Sequence, residues 1–401
     1  LTGSFDLPGG NVIFDTIPVE DISGANLLSP KQLVKALGIT DRPMGPAKSG
    51  WITTDDLYRA ILDKTPYQIK GMINFGSNIL VSHTDTKRGI LALKALEFVV
   101  HIDMFMTPSA ALADIILPVN TPWEREGLKT NFSVGEDAAS YIQLRPQVIE
   151  SRGESKSDLW IAFELAKRLG LADQFWDGDI DASYRALLAP SGISLEELRR
   201  KPGGIQVPFK TRYRKYANNV SGPLGFATPS RKVEIFSESL QSVGQAALPD
   251  YVEPAVGPNS HPDLYFKFPL VLTSSKSLHY CHSQHRGLPS LRKREPDPTV
   301  EIHPDAAAAR RIVDGDWVDL VTPDGAIKVR AKLRDTLDPR VVSTTYGWWQ
   351  HCTELGLPGH EIIGRESANV NDTIGNKKAD PISGSVAHRS YLCEISLASE
   401  S

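Results

Sequence analysis

The chain has 401 residues and a formal net charge of −4, from 44 Lys and Arg against 48 Asp and Glu. Apolar residues make up 41% and charged residues 23%, a globular composition that excludes disordered and collagen-like chains. That charge balance carries no electrostatic footprint for nucleic acid, and no apolar run approaches the roughly 18–20 residues of a membrane span.

The three cysteines, Cys281, Cys352 and Cys393, lie far apart with no Cys-x-x-Cys among them. This chain alone therefore builds no disulfide framework, four-cysteine zinc site or iron–sulfur cluster. Residues 1–50 are rich in Gly, Pro and Asn, with 33–37 as a short helical candidate. Thr53-Thr54-Asp55-Asp56 can cap a helix running to about Leu62, with Leu57, Ala60 and Ile61 on one face. Residues 69–75 read as a buried strand, Gly76-Ser77-Asn78 as a tight polar turn, and 84–96 as a helix. A second buried strand covers 97–102 and ends at Asp103; Thr107 begins a helix with Pro108 in its first turn, and 114–118 is a third strand. Strands alternating with helices at this spacing predict a parallel, doubly wound α/β sheet. Residues 158–169 form an amphipathic helix stopped by Gly170.

From 171 to 261 the pattern weakens. A helix is expected at 194–200, a break at Lys201-Pro202-Gly203-Gly204, a Gly/Pro-rich run over 222–230 and a strand over 232–236. Asn-x-Ser triplets occur at Asn131 and Asn219, a pattern common by chance. Beyond Phe268, short strands are expected at 270–273, 299–302, 317–321, 327–333, 341–345 and 391–397. Thr322-Pro323-Asp324-Gly325 reads as a hairpin turn with Gly at a positive φ, and 304–311 as a short helix. Six short strands around one helix predict a closed β-barrel.

In open α/β sheets ligands bind beyond the carboxyl ends of strands. Gly76-Ser77-Asn78 and Asp103 stand at two such ends. A glycine admits a ligand to the backbone, and a carboxylate can accept from a guanine edge or ribose hydroxyls. The same residue types also build turns and caps. His279-Tyr280-Cys281-His282-Ser283-Gln284-His285 suggests zinc at first sight, but positions 279 and 282 face opposite sides of a strand and a fourth ligand is absent. Thr273, Ser274, Ser275, Lys276 and Ser283 beside it suit a phosphate better, and a solvated surface also accounts for them. Tyr346-Gly347-Trp348-Trp349-Gln350 offers stacking faces for a flat heterocycle, or barrel core. Asn369, Asn371 and Asp372 can pair with amide-like ring edges, or form an Asx-rich loop. No nucleophile elbow, Walker loop or His-Glu-x-x-His is present, and no catalytic residue is assigned.

Together these stretches resemble the molybdopterin oxidoreductase family, which includes dimethyl sulfoxide reductase, formate dehydrogenase and nitrate reductase relatives. Gly76-Ser77-Asn78 looks like its Gly-x-Asn turn. His101 to Thr107, then Ala113 to Pro118, Glu124, Gly127 and Asn131, look like its central signature. Gly225 to Glu234 looks like its connector, with Arg231 where Gly is usual. Val300 to Ala306 through Asp314-Gly315-Asp316-Trp317-Val318 is similar to its terminal dinucleotide-binding barrel.

The resemblance implies an incomplete half of a doubly wound molybdopterin domain over 1–170, a connector over 171–265, and a double-psi-like β-barrel over 266–401. It implies a bis-molybdopterin guanine dinucleotide cofactor with molybdenum or tungsten, and anaerobic-respiration-type redox chemistry. The contacts implied are Gly76, Ser77, Asn78, Asp103 and Thr107 at the sheet, Ser274, Lys276, His279 and Ser283 in the barrel, and Asn371 and Arg389 near the chain end. Lys276 stands where Arg is common. Leu1 to Asn11 looks like the family's mid-chain junction. The chain is thus expected to be a C-terminal half, with the metal ligand and any iron–sulfur cluster upstream. Its expected partners are the N-terminal half of the same enzyme and an iron–sulfur electron-transfer subunit. A non-redox hydratase or transhydroxylase relative and a non-catalytic scaffold subunit are the alternatives.

Overall fold

The computed structural model describes residues 2–132, 134–208, 210–217, 224–376 and 379–399. The chain divides into two compact units, one of Leu1–Ser29 with Pro118–Asp250, the other of Pro30–Leu117 with Tyr251–Ser401. Gly222 and Pro223 of the expected Gly/Pro-rich run, and the Asn219 triplet, lie outside the described residues.

In the second unit, helix α1 (Thr54–Leu62) is capped by Thr53, whose side chain accepts from the Asp56 N–H. It buries Leu57, Ala60 and Ile61, as their spacing predicts. Strand β1 (Gly71–Phe75) runs parallel to β2 (Phe98–Asp103), with Asn74 opposite His101 and Phe75 opposite Ile102. Strand β3 (Ile115–Pro118) completes a sheet of order β1-β2-β3. An unexpected one-turn helix, α2 (Ile79–Ser82), follows the bend, and the helix expected over 84–96 is α3 (Thr86–Ala95). Asp85 separates them at φ 59° and caps α3 by accepting from the Arg88 N–H. The helix expected from Thr107 is one 3-10 turn, Ala110–Leu112. The chain must turn at once into β3, where the Asp114 carboxylate accepts from the Val99 N–H at 2.7 Å.

In the first unit, β4 (Gly127–Lys129), β5 (Tyr141–Arg145) and β6 (Ile205–Gln206) form an antiparallel sheet. Helices α4 (Asp158–Arg168), α5 (Ile180–Leu188) and α6 (Leu195–Arg200) accompany it. Leu188, Leu195 and Leu198 pack on Ile17, Ile142 and Leu144. Residues 232–236 are not a strand: Val233, Ile235 and Phe236 are exposed, and no strand among the described residues pairs with them. Arg231 sits at φ 59°, a left-handed conformation that explains why glycine is usual in the motif this stretch resembles.

The barrel belongs to the second unit. Helix α7 (Pro262–Lys267) leads into β7 (Leu270–Ser274), and α8 (Pro289–Arg292) into β8 (Thr299–Ile302). Then follow α9 (Pro304–Ala308), β9 (Trp317–Val321), β10 (Ala326–Leu333), β11 (Val341–Thr344) and β12 (Tyr391–Leu397). The strands close in the order β10-β8-β11-β7-β12-β9. β8 is parallel to β10 and β7 to β11; the other four neighbouring pairs of the barrel are antiparallel. Alternate residues of β10 point inward, so Ile327, Val329 and Ala331 join Leu272, Val300, Leu320 and Leu392 in one core. The β9–β10 hairpin closes by Thr322 N–H donating to the Gly325 carbonyl at 2.8 Å. Gly325 is not at a positive φ, contrary to expectation. Glycine is needed there for space, since a Cβ would meet the Asp372 carbonyl oxygen at 2.8 Å.

Candidate functional site

Two places in the second unit concentrate polar groups with unmet hydrogen-bonding capacity. The first is the carboxyl end of the sheet. Gly76 turns at φ 58°, and a Cβ added there would meet nothing within 4 Å, so its backbone faces open space. Asn74 supports the bend by donating to the Ser77 carbonyl at 2.6 Å. Asn78 is only 7% exposed; its Oδ1 accepts from Ser109 Oγ at 3.1 Å, but its Nδ2 has no partner. A buried donor left unpaired costs about 1–3 kcal/mol, so an acceptor from a ligand is favoured there. Asp103 accepts from the Phe105 N–H at 3.0 Å and Thr107 Oγ1 from the Ala110 N–H at 3.1 Å. Both residues therefore also shape their local turns.

The second place is a cavity of about 480 Å³. Ser274 at the end of β7, then Lys276, Asn371 and Arg389, all line it. Their sequence positions span more than a hundred residues, and the barrel brings them to one wall. His279 and Ser283 do not line it: the His279 N–H donates to Ser277 Oγ, and the Ser283 carbonyl accepts from Trp349 Nε1 at 2.8 Å. Asn371 spends its amide N–H on the Val81 carbonyl at 2.8 Å. Asn369 is fully buried and donates to the Leu80 carbonyl and Thr86 Oγ1, so it braces the wall from behind. Of the aromatic run, Tyr346 lines the cavity while Trp348 is buried behind it. Asp372 is also buried, and burial raises its pKa above the ordinary carboxylate value.

Ser82, His83 and Thr84 line the same cavity and escaped sequence reasoning. Their signal is a polar triplet directly after the apolar Ile79–Val81 that follows the Gly-x-Asn bend. Burial holds the His83 pKa below the usual imidazole value, so the ring is neutral at pH 7, and its Nδ1 has no partner. Asp55, the carboxylate in the lining, is neutralised by Arg88 at 2.8 Å, which leaves Lys276 and Arg389 as net positive charge. A wall of hydroxyls, neutral imidazole and two cations suits phosphate groups. Among the described residues no cluster of three or more His, Cys, Asp or Glu is placed to hold a metal ion.

Residues 37–168 match the family model for molybdopterin oxidoreductase, and residues 270–392 that for the molydopterin dinucleotide binding domain. Together these matches cover more than half of the chain.

The chain belongs to the molybdopterin oxidoreductase family. It is 30% identical over 353 residues to the acetylene hydratase of Syntrophotalea acetylenica, covering 84% of this chain and 46% of that protein. It is 32% identical over 387 residues to the dimethyl sulfoxide reductase DmsA of Escherichia coli K12, covering 87% of this chain and 45% of the reductase. The dopamine dehydroxylase of Eggerthella lenta is 28% identical, covering 98% and 45%. This family member thus spans about half the length of the curated relatives it matches. The solved acetylene hydratase from Pelobacter acetylenicus superposes with a TM-score of 0.81 at 23% identity, covering 96% of this chain and 55% of that one, which shows a shared fold.

Proposed function

We propose that this chain is the C-terminal portion of a molybdenum- or tungsten-dependent oxidoreductase and that its second unit holds a molybdopterin guanine dinucleotide, with the metal ligated by residues outside the chain. The observation that carries this reading is the convergence of Ser274, Lys276, Asn371 and Arg389 on one cavity. In this reading the three-stranded sheet is part of a doubly wound domain and the barrel is of the double-psi kind.

The residues present fit the cofactor. The open backbone at Gly76 and the unpaired Asn78 amide suit close approach by a polar ligand. Lys276 and Arg389 neutralise phosphate charge, Ser274 and Thr84 donate hydroxyl hydrogens, and Asp103 accepts from a nucleoside edge. When bound, the cofactor supplies oxygen-atom transfer or hydride and proton removal at its metal. The task of this chain is to orient that group and set the field around it. A neutral His83 adds a hydrogen-bonding group to the wall without adding charge.

A second reading, favoured by the 30% identity to a protein named acetylene hydratase, is a non-redox relative that adds or moves water. Turnover with a redox dye separates the two readings: the oxidoreductase reduces or oxidises the dye with its substrate, and the hydratase does not.

The partners in this reading are the remaining half of the enzyme and an iron–sulfur electron-transfer subunit. Apolar side chains that a completed sheet would bury are exposed, with Ile73 at 51% and Phe75 at 42%. The test is elemental analysis for molybdenum and tungsten, with a guanine assay after acid release. Near-stoichiometric metal and guanine are expected. A well-folded protein with neither would favour a scaffold subunit instead.

A further inference from the structure

Behind the cavity lies a knot of buried side chains: Arg286, Arg292, Trp348, Tyr280 and His360. Arg286 and Arg292 are each 1% exposed. Their guanidinium carbons sit 4.8 and 4.9 Å from the Trp348 ring centroid, and that of Arg286 also lies 4.5 Å over Tyr280. Among the described residues neither has a carboxylate partner at ion-pair distance. Burying a cation without one is costly, and the cost must be offset by what the cation holds together.

What Arg286 holds is specific. Nη1 donates to the His282 carbonyl at 2.7 Å and Nη2 to the Tyr346 carbonyl. These are cavity residues from two loops distant in sequence. The loops meet backbone to backbone: Gly347, at φ 83°, comes so close that a Cβ there would stand 2.5 Å from the His282 carbonyl oxygen. His282 itself is held at φ 51°, a conformation that a non-glycine residue keeps only when its surroundings enforce it. Trp349 Nε1 grips the adjoining Ser283 carbonyl at 2.8 Å.

We infer that Arg286 is a positioning residue for the cofactor cavity: by bridging the His282 and Tyr346 carbonyls it sets both side chains in the wall. This rests on the cofactor reading above. Arg292 provides an internal control. It packs on the same indole, but its guanidinium donates to the Pro296, Gln350 and Pro358 carbonyls, and the weaker 3.4 Å contact to the Arg286 carbonyl leaves it without a direct grip on the wall.

The experiment compares Arg286→Lys with Arg292→Lys in the full-length protein carrying its cofactor. Lysine keeps the charge but lacks the planar fork that reaches two carbonyls at once. Melting temperature reports the shared packing role, and the rate of pterin release, followed by fluorescence after oxidation, reports the cavity. Both variants should lower the melting temperature. Only Arg286→Lys should speed release, by about tenfold, the effect of losing one charge-assisted hydrogen bond. Release at the wild-type rate from Arg286→Lys, or equally fast release from Arg292→Lys, overturns the inference. Should Arg286→Lys not fold, Gly347→Ala wedges the same contact with both arginines intact and must show the faster release. Absence of molybdopterin from the wild-type protein would defeat the cofactor reading separately. Hydrogen exchange then decides on the protein alone: faster exchange at 282–283 and 346–347 in Arg286→Lys than in Arg292→Lys supports the positioning role, and equal exchange refutes it.

Discussion

Lys276 is exposed on the cavity wall and makes no ion pair among the described residues, so its side chain holds nothing of the fold together. Lys276→Met should leave stability within about 0.5 kcal/mol while cofactor content falls, measured by urea denaturation and guanine assay. Arg231 is the opposite case, a residue at odds with its backbone. Arg231→Gly removes the left-handed strain and should stabilise the protein by up to about 1 kcal/mol in the same denaturation assay. The His360 imidazole has its pKa pushed down to about 4, mainly by burial and then by the nearby Arg292 charge. In the unfolded chain that ring takes up a proton near pH 6.5, whereas the folded chain refuses it until about pH 4. Stability is therefore full above pH 6.5 and falls by about 3 kcal/mol as the pH drops to 4. His360→Gln should flatten that slope in denaturation curves recorded across the window. As cofactor contacts, Ser274, Lys276, Asn371 and Arg389 come from the family resemblance alone, and the fold gathers all four on one cavity wall. The Ser82-His83-Thr84 wall was not legible, since only tertiary packing turns that segment toward the barrel loops.

Elements were legible where local pattern and final pairing agree. All six barrel strands lie within a residue of where short runs bounded by turn signals put them, and β7, β8 and β10 also alternate buried and less buried residues. Strands β4 and β6 are three and two residues long, too short for any period to register. Residues 232–236 alternate correctly and still form no strand, because a strand exists only with a neighbour to pair with. The helix expected over 84–96 forms over Thr86–Ala95, and its start is fixed by Asp85, whose backbone N–H is captured by the Asn371 and Ile374 carbonyls from the barrel at 2.9 Å. Crowding at the β9–β10 hairpin makes a direct test. Gly325→Ala pushes a methyl group against the Asp372 carbonyl and should cost about 1–3 kcal/mol, read as a lower urea midpoint with an unchanged slope.

Over the whole molecule, the three-stranded sheet leaves apolar side chains in water, and its β1 edge has no paired strand among the described residues. Such an edge invites further pairing. These 401 residues produced alone should self-associate, and Ile73→Ser with Ile115→Ser should reduce that association in sedimentation velocity; a stable wild-type monomer would count against it. The central claim concerns where a large anionic group rests. Its most direct test is a structure of the cofactor-loaded protein. Phosphates within hydrogen-bond reach of Lys276 and Arg389, with part of the group against the bend at Gly76–Asn78, is the predicted result. A cofactor seated away from both the bend and the barrel cavity would contradict it.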